Sequence, residues 1–322
     1  MKRRESPELG LPPVQCEAPA LPPDEGRDVA ERIAASLRAA AGRSVVLSTV
    51  LNPAVGPLAV AETELLLRSV RLLGGSRRDM PVRVLVVGGP TPEISARMQA
   101  LGAEVLAAEA FDERCPTANK LAALQDIGDA DYLLLVDNDV VITGDPTPFL
   151  VGDSLALKPE CVDHLGLPRW GALFGHLGLT LPSARIVTTI DGQETIGYYN
   201  SGVLLVPRAL ITPLRDCWAR AIPEVLEVCD REPAINEFRG LTDQLALAVI
   251  LARDELPHRA LAPAMHFHTR WPLHPMWQAD GCRPVVLHYH HALRPDCAGL
   301  TASAHPGANE AIDRLHRALG LV

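Results

Sequence analysis

The chain lacks several features that would place it quickly. No two of its cysteines form a CxxC pair; Cys16, Cys115, Cys161, Cys217, Cys229, Cys282 and Cys297 are scattered and odd in number. Such a set reads as reduced, mostly buried thiols, not as a disulfide framework. No run of Lys or Arg follows the first four residues, and the formal net charge is −9. The basic face that nucleic acid requires is therefore missing. The longest apolar stretch, Leu245–Ala252, is far too short to span a bilayer. Met1-Lys2-Arg3-Arg4 is basic, but Glu5, Pro7 and Glu8 stand where a signal peptide needs an apolar core. The expectation is a cytoplasmic protein with no membrane span and no nucleic-acid partner. There is also no internal repeat.

What is present suits a compact α/β protein: 322 residues, 48% hydrophobic and 21% charged. Residues 1–26 are rich in Pro and Glu without apolar periodicity and read as a disordered or loosely docked arm. Residues 27–322 read as a single domain with two halves, 27–145 and 146–322. In the first half, helices at Asp28–Ala40, Ala61–Leu73, Pro92–Leu101 and Ala118–Ile127 alternate with strands. The strands are Ser44–Val50, Val82–Val87, Glu104–Leu106 and Tyr132–Val136. This alternation predicts right-handed βαβ units on a mainly parallel sheet flanked by helices, a Rossmann-like arrangement. After Asp145-Pro146 the periodicity fades. It returns as a strand at Gly202–Val206, helices near Leu214–Val228 and Thr242–Arg253, a strand at Val285–Tyr289 and a helix at Ala308–Leu319.

The apolar strand YLLLV runs directly into Asp137-Asn138-Asp139. Ligands of open α/β sheets bind beyond the carboxyl ends of the strands. Two carboxylates with one residue between them offer hard oxygen ligands to Mn²⁺ or Mg²⁺. Such a cation also binds diphosphate oxygens and eases the departure of a nucleotide diphosphate.

LLLVDNDVVI resembles the central motif of GT-A-fold glycosyltransferases, and more narrowly the glycogenin and bacterial lipopolysaccharide galactosyltransferase family. Three further segments match in order. Tyr199-Asn200-Ser201-Gly202 is similar to the family's Asn-Ala/Ser-Gly strand, and Thr242-Asp243-Gln244 to its Asp-Gln pair. His288-Tyr289-His290-His291-Ala292-Leu293-Arg294-Pro295 is similar to its His-x-x-Gly-x-x-Lys-Pro segment. The resemblance implies a Rossmann-like nucleotide-binding half over 27–145, an acceptor and metal-completing half over 146–322, a uridine-diphosphate sugar donor, a divalent metal and retention of anomeric configuration. By it Asp137, Asp139 and His288 are the metal ligands, while Asn200, Asp243 and Gln244 face the sugar and the reaction centre. Arg294, in the family's Lys position, is the candidate diphosphate clamp. Lys120 stands where the family often places a basic residue and is a candidate contact to donor phosphate or Asp137. Thr49 and Asn52, at the end of the first strand, are the candidate contacts near the nucleotide, although the family's usual Asp and Tyr pattern is missing there. His291 replaces the family's Gly, and Asp296 its Trp.

Seven of the eleven histidines lie between residues 258 and 291. With Trp271 and Trp277 they are expected to line an acceptor or donor-sugar pocket; the HxH pair His266/His268 as a zinc site is the lesser alternative. Nothing identifies the acceptor. Two rival functions stand beside sugar transfer. One is a sugar-nucleotide sensor without catalysis. The other is a haloacid-dehalogenase-type phosphatase, whose DxD motif opens its domain instead of following three strand–helix units.

Overall fold

The computed structural model describes residues 38–277 and 283–322. The expected arm, and most of the expected helix from Asp28, lie outside the described residues. Residues 38–41 are helical.

The strands are β1 (Val45–Leu51), β2 (Val82–Val87), β3 (Ala103–Ala108), β4 (Tyr132–Val136), β5 (Val140–Ile142) and β6 (Leu155–Pro159), then β7 (Ile186–Val187), β8 (Glu194–Thr195), β9 (Tyr199–Pro207), β10 (His258–Ala260), β11 (Phe267–His268) and β12 (Val286–His288). A seven-stranded sheet runs β10-β6-β9-β4-β1-β2-β3. β4, β1, β2 and β3 are mutually parallel, and β10 runs parallel to β6. β9 is antiparallel to both β4 and β6. The sheet is therefore mixed and mainly parallel, as its β-branched, doubly covered strands imply.

Each face carries its own core. On one face Leu133, Leu135, Leu204 and Val206 pack with Leu214, Trp218, Ile222 and Val225 of a long helix, and with Leu245 and Val249 of a later one. On the other, Leu134, Val136, Val203 and Leu205 join Leu47, Leu51, Leu66 and Val70. The alternation of odd and even residues along β4 and β9 follows from the two-residue period of a strand. The helices are α1 (Pro57–Leu73), α2 (Pro92–Ala100), α3 (Gly166–His176), α4 (Ile211–Arg231), α5 (Pro233–Asn236), α6 (Thr242–Arg253) and α7 (Pro306–Leu319). A three-stranded sheet, β11-β12-β5, sits between the main sheet and α7. Val141, Leu287 and Tyr289 there pack with Ala308, Ala311 and Leu315.

Several boundaries differ from expectation. Ala118–Ile127 is not an α-helix: residues Pro116–Ala123 form a 3-10 helix, whose tight turns end where Leu124 N–H bonds the Leu121 carbonyl at 3.0 Å. The strand read as Gly202–Val206 extends over all of β9, whose nine residues are buried. The last strand, read as Val285–Tyr289, is shorter and lies in the smaller sheet, where it runs antiparallel to β5. The stretch 151–198, featureless by periodicity, contributes β6, α3, β7 and β8. α6 spans the expected residues.

Sheet order locates the crevice. The chain runs from β1 through β2 to β3 on one side, then returns to place β4 on the other side of β1. The carboxyl ends of β1 and β4 thus flank the point where strand order reverses, where α/β sheets bind ligands.

Candidate functional site

A cleft of about 250 Å³ opens at this switch point. Asn52 and Val55 line it from the end of β1, and Asp137, Asn138 and Asp139 from the end of β4. Asn119 and Lys120 come from the 3-10 helix, and His291 from the loop after β12. β4 ends because Asp137 N–H makes the last ladder bond, 2.9 Å to the Gly202 carbonyl, before the chain turns into β5.

The antiparallel pairing of β12 with β5 places His288 opposite Val140, next to the acidic turn. Ligand atoms of Asp137, Asp139 and His288 all lie within 4.8 Å of one another. His288 Nε2 is 3.2 Å from Asp139 Oδ1. Two hard carboxylates and one imidazole fit Mn²⁺ well and Mg²⁺ acceptably. Burial works against the Asp139 charge, but His288, His291 and His290 outweigh it and hold this carboxyl below the usual range. Burial and the neighbouring Asp139 raise Asp137 despite the opposing Lys120.

Lys120 lies at the hub of a buried network. Its ammonium stands 3.0 Å from Asp137 Oδ1 and 2.9 Å from Asp243 Oδ2, and donates to Ser201 Oγ at 2.8 Å. Burial disfavours the ammonium, yet the two carboxylates overcome it and push its pKa upward. Asp243, at the start of α6, also accepts from the Ser201 hydroxyl at 2.6 Å. Burial raises the Asp243 carboxyl, and Lys120 with Ser201 more than reverses that.

On the far side of Asn200 a second cavity, of about 520 Å³, is lined by Glu160, Asn200, Gln244, His268, Arg270 and Trp271, among others. Asn200 donates 2.8 Å to Glu160 Oε2 and accepts from Gly202 N–H at 2.8 Å. Gln244 Oε1 is buried without a hydrogen-bond partner, an acceptor that a ligand hydroxyl would satisfy. Burial lowers His268, and lowers His290 to about 3, so both are neutral at the cavity wall.

The structure thus brings together Asp137, Asp139, His288 and Lys120, with Asp243 behind them, and puts Asn200 and Gln244 on the adjoining cavity. Three expected residues stand apart. Thr49 points into the core, fully buried with its hydroxyl unpaired, because alternate residues of β1 face opposite sides and Val50, not Thr49, lines the cleft. Arg294 does not line the cleft; it pairs with Asp296 at 3.3 Å. Trp277 packs on the small third core and does not line the second cavity. The HxH pair is not a zinc site, since His268 faces the cavity while His266 is buried against His288. Sequence reasoning missed Glu160, Ser201 and Glu62. Glu62 holds the His291 ring at 2.7 Å and raises its pKa. Only the spacing of Glu62 from the buried Ala59 and Leu66, three and four residues away on the same helix, marked it as facing inward, and Glu160 carried no sequence signal.

Residues 88–255 match the Rhodobacterales glycosyltransferase domain model, just over half of the chain and all of the segment from β3 to the end of α6. The chain belongs to the Rhodobacterales glycosyltransferase family. It is therefore a sugar-transferring enzyme, and the sensor and phosphatase alternatives fall. His288 and Arg294 lie beyond the matched residues. An active-site mutant of LgtC shares the fold with TM-score 0.50 and 14% identity over 85% of this chain and 95% of that one. LgtC with donor and acceptor sugar analogs, a galactosyltransferase, gives TM-score 0.49 and 15% identity over the same shares. GlyE of Streptococcus pneumoniae TIGR4 gives 0.48 and 15% identity over 86% of this chain, which spans 63% of GlyE. The likeness at TM-score 0.50 gives the chain the fold of LgtC, a GT-A fold. No curated protein sequence matches the chain. Among the described residues no helix is long and apolar enough to cross a membrane, and Cys115, Cys161, Cys217, Cys229 and Cys297 are free.

Proposed function

We propose that this glycosyltransferase takes its sugar from a uridine-diphosphate sugar, holds Mn²⁺ or Mg²⁺ with Asp137, Asp139 and His288, and retains the anomeric configuration. The observation that carries this reading is the convergence of those three residues, from β4, its following turn and β12, at the mouth of the switch-point cleft. When bound, the cation supplies charge that stabilises the departing diphosphate. The nucleotide lies in the cleft beside Asn52, whose side chain also caps the turn after β1 by accepting from Ala54 N–H. The sugar extends toward the second cavity, where Asn200 and Gln244 meet its hydroxyls. Lys120 opposes the burial that raises both carboxyls and holds Asp137 and Asp243 in place.

Retention is favoured by the condition of Asp243. Its Oδ2 is engaged by Lys120 and Ser201 and the residue is 2% exposed, so it is poorly placed to take a proton from an acceptor. Titration calorimetry of UDP with and without Mn²⁺ tests the central claim. Binding should depend on the cation, and Asp139→Asn should weaken it at least tenfold, since a charged hard ligand becomes a neutral amide. Chelator-resistant binding and transfer would sink the metal assignment.

A further inference from the structure

His288 faces the acidic pair through Nε2. Its Nδ1 is turned the other way and lies 2.9 Å from Nε2 of His266. The two rings meet edge to edge, with centroids 5.1 Å apart and planes 30° apart. Behind His288 there is no slack either: a Cβ on Gly202 would stand 2.5 Å from His288 Cε1, so the β9 backbone lies against the ring. His266 is completely buried, and an imidazole without its extra proton has one nitrogen that donates and one that accepts.

Those facts fix the proton positions. A neutral His288 that offers the Nε2 lone pair to a cation must carry its proton on Nδ1. The group facing that proton is His266 Nε2, which must then accept, leaving the His266 proton on Nδ1. His266 Nδ1 is indeed buried with no hydrogen-bond partner. An orphaned ring nitrogen is costly to keep, which argues against a mere packing role for this histidine.

We infer that His266 is a positioning residue that sets the tautomer and ring orientation of His288 by accepting its Nδ1 proton. The inference rests on the metal-centre reading above. Ligating histidines commonly bond their second nitrogen to a carboxylate or carbonyl; in this enzyme another imidazole takes that place.

Mn²⁺ binding followed by electron paramagnetic resonance of the free ion tests it. His266→Leu should raise the dissociation constant about 10- to 100-fold. His266→Gln, whose Oε1 can stand where Nε2 accepts, should keep most of the affinity. Melting curves in chelator establish that each variant is folded. Ring ¹⁵N spectra of the unaltered protein with Mg²⁺ give a second reading, in which His266 should be protonated on Nδ1 and bare on Nε2. A folded His266→Leu that binds Mn²⁺ as tightly as the parent overturns the inference, and so does a proton on His266 Nε2 in the loaded protein. If His266→Leu does not fold, the ring spectra decide alone. Failure of the unaltered protein to bind Mn²⁺ would remove the metal centre itself, whereas normal binding with an indifferent variant removes only the role of His266.

Discussion

Lys120 shows how much a single buried charge can hold together. It is 7% exposed and touches two carboxylates that otherwise have little to neutralise them. Lys120→Met should destabilise the fold by about 3–5 kcal/mol, because it strands Asp137 and Asp243 rather than because the pair was worth that much. Urea melts would measure the loss, and an unchanged midpoint would mean the carboxylates are solvated. The pH response has a definite sign. Asp243 has a folded pKa below its unfolded value, so its contribution is complete above about pH 4 and fades as pH falls through the lower folded value. Asp243→Asn should flatten the acid limb of the stability profile. Arg294 is the opposite case, a charge the fold leaves on the surface beside Asp296. Exposed pairs of this kind hold by only about 0–1 kcal/mol, so a diphosphate can compete for the guanidinium. We expect Arg294→Ala to weaken UDP binding about tenfold; unchanged affinity would leave it as a surface partner of Asp296.

At the scale of elements, the site depends on how β9 and β12 meet. Gly202 is the contact point: a side chain there would strike His288 Cε1 at 2.5 Å and Asn200 Oδ1 at 2.9 Å. Gly202→Ala should therefore push His288 out of line and strain the strand, at a cost of about 1–3 kcal/mol. A thermal melt together with Mn²⁺ titration checks both effects, and normal Mn²⁺ affinity would show that the ring has room to move. The start of α6 is a second such junction. Its first turn carries Asp243 where a negative charge is favourable, while Trp218 of α4 donates to the Asp243 carbonyl at 2.8 Å. That bond ties the polar end of α6 to the apolar core of one sheet face.

For the whole molecule, two cavities bear on the chemistry. The smaller lies over the β1/β4 switch point, and the larger is walled by the segment after β6, by β9, the start of α6 and the histidine-rich loops. This arrangement suits a nucleotide on one side and sugar chemistry on the other. From an α-linked donor the product should be α-linked, as an NMR assignment of its anomeric proton will show. A β-linked product would sink retention and turn attention to Glu160, the one carboxylate among the residues described as lining the larger cavity.

Local order was legible where periodicity and short motifs report directly on the backbone. The apolar run of β4 ending at Asp137, the span of α6 and the doubly covered strands all follow from nearest-neighbour chemistry, and together they imply the sheet class. The acidic turn could be picked out because it breaks such a run, and Asn200, the Asp243-Gln244 pair and His288 because their segments resemble those of a known family. What the chain could not announce was which distant segments would touch. Glu160 becomes a neighbour of Asn200 only because β6 pairs with β9. Lys120 becomes a hub only because a 3-10 turn, not an α-helix, points it at Asp243. His266 reaches His288 only because β11 and β12 lie side by side. Thr49 was lost to the same cause, since strand alternation turns it away from the cleft. Spacing along a chain sets which faces exist, whereas tertiary pairing, built from contacts between residues far apart in sequence, decides which of those faces meet.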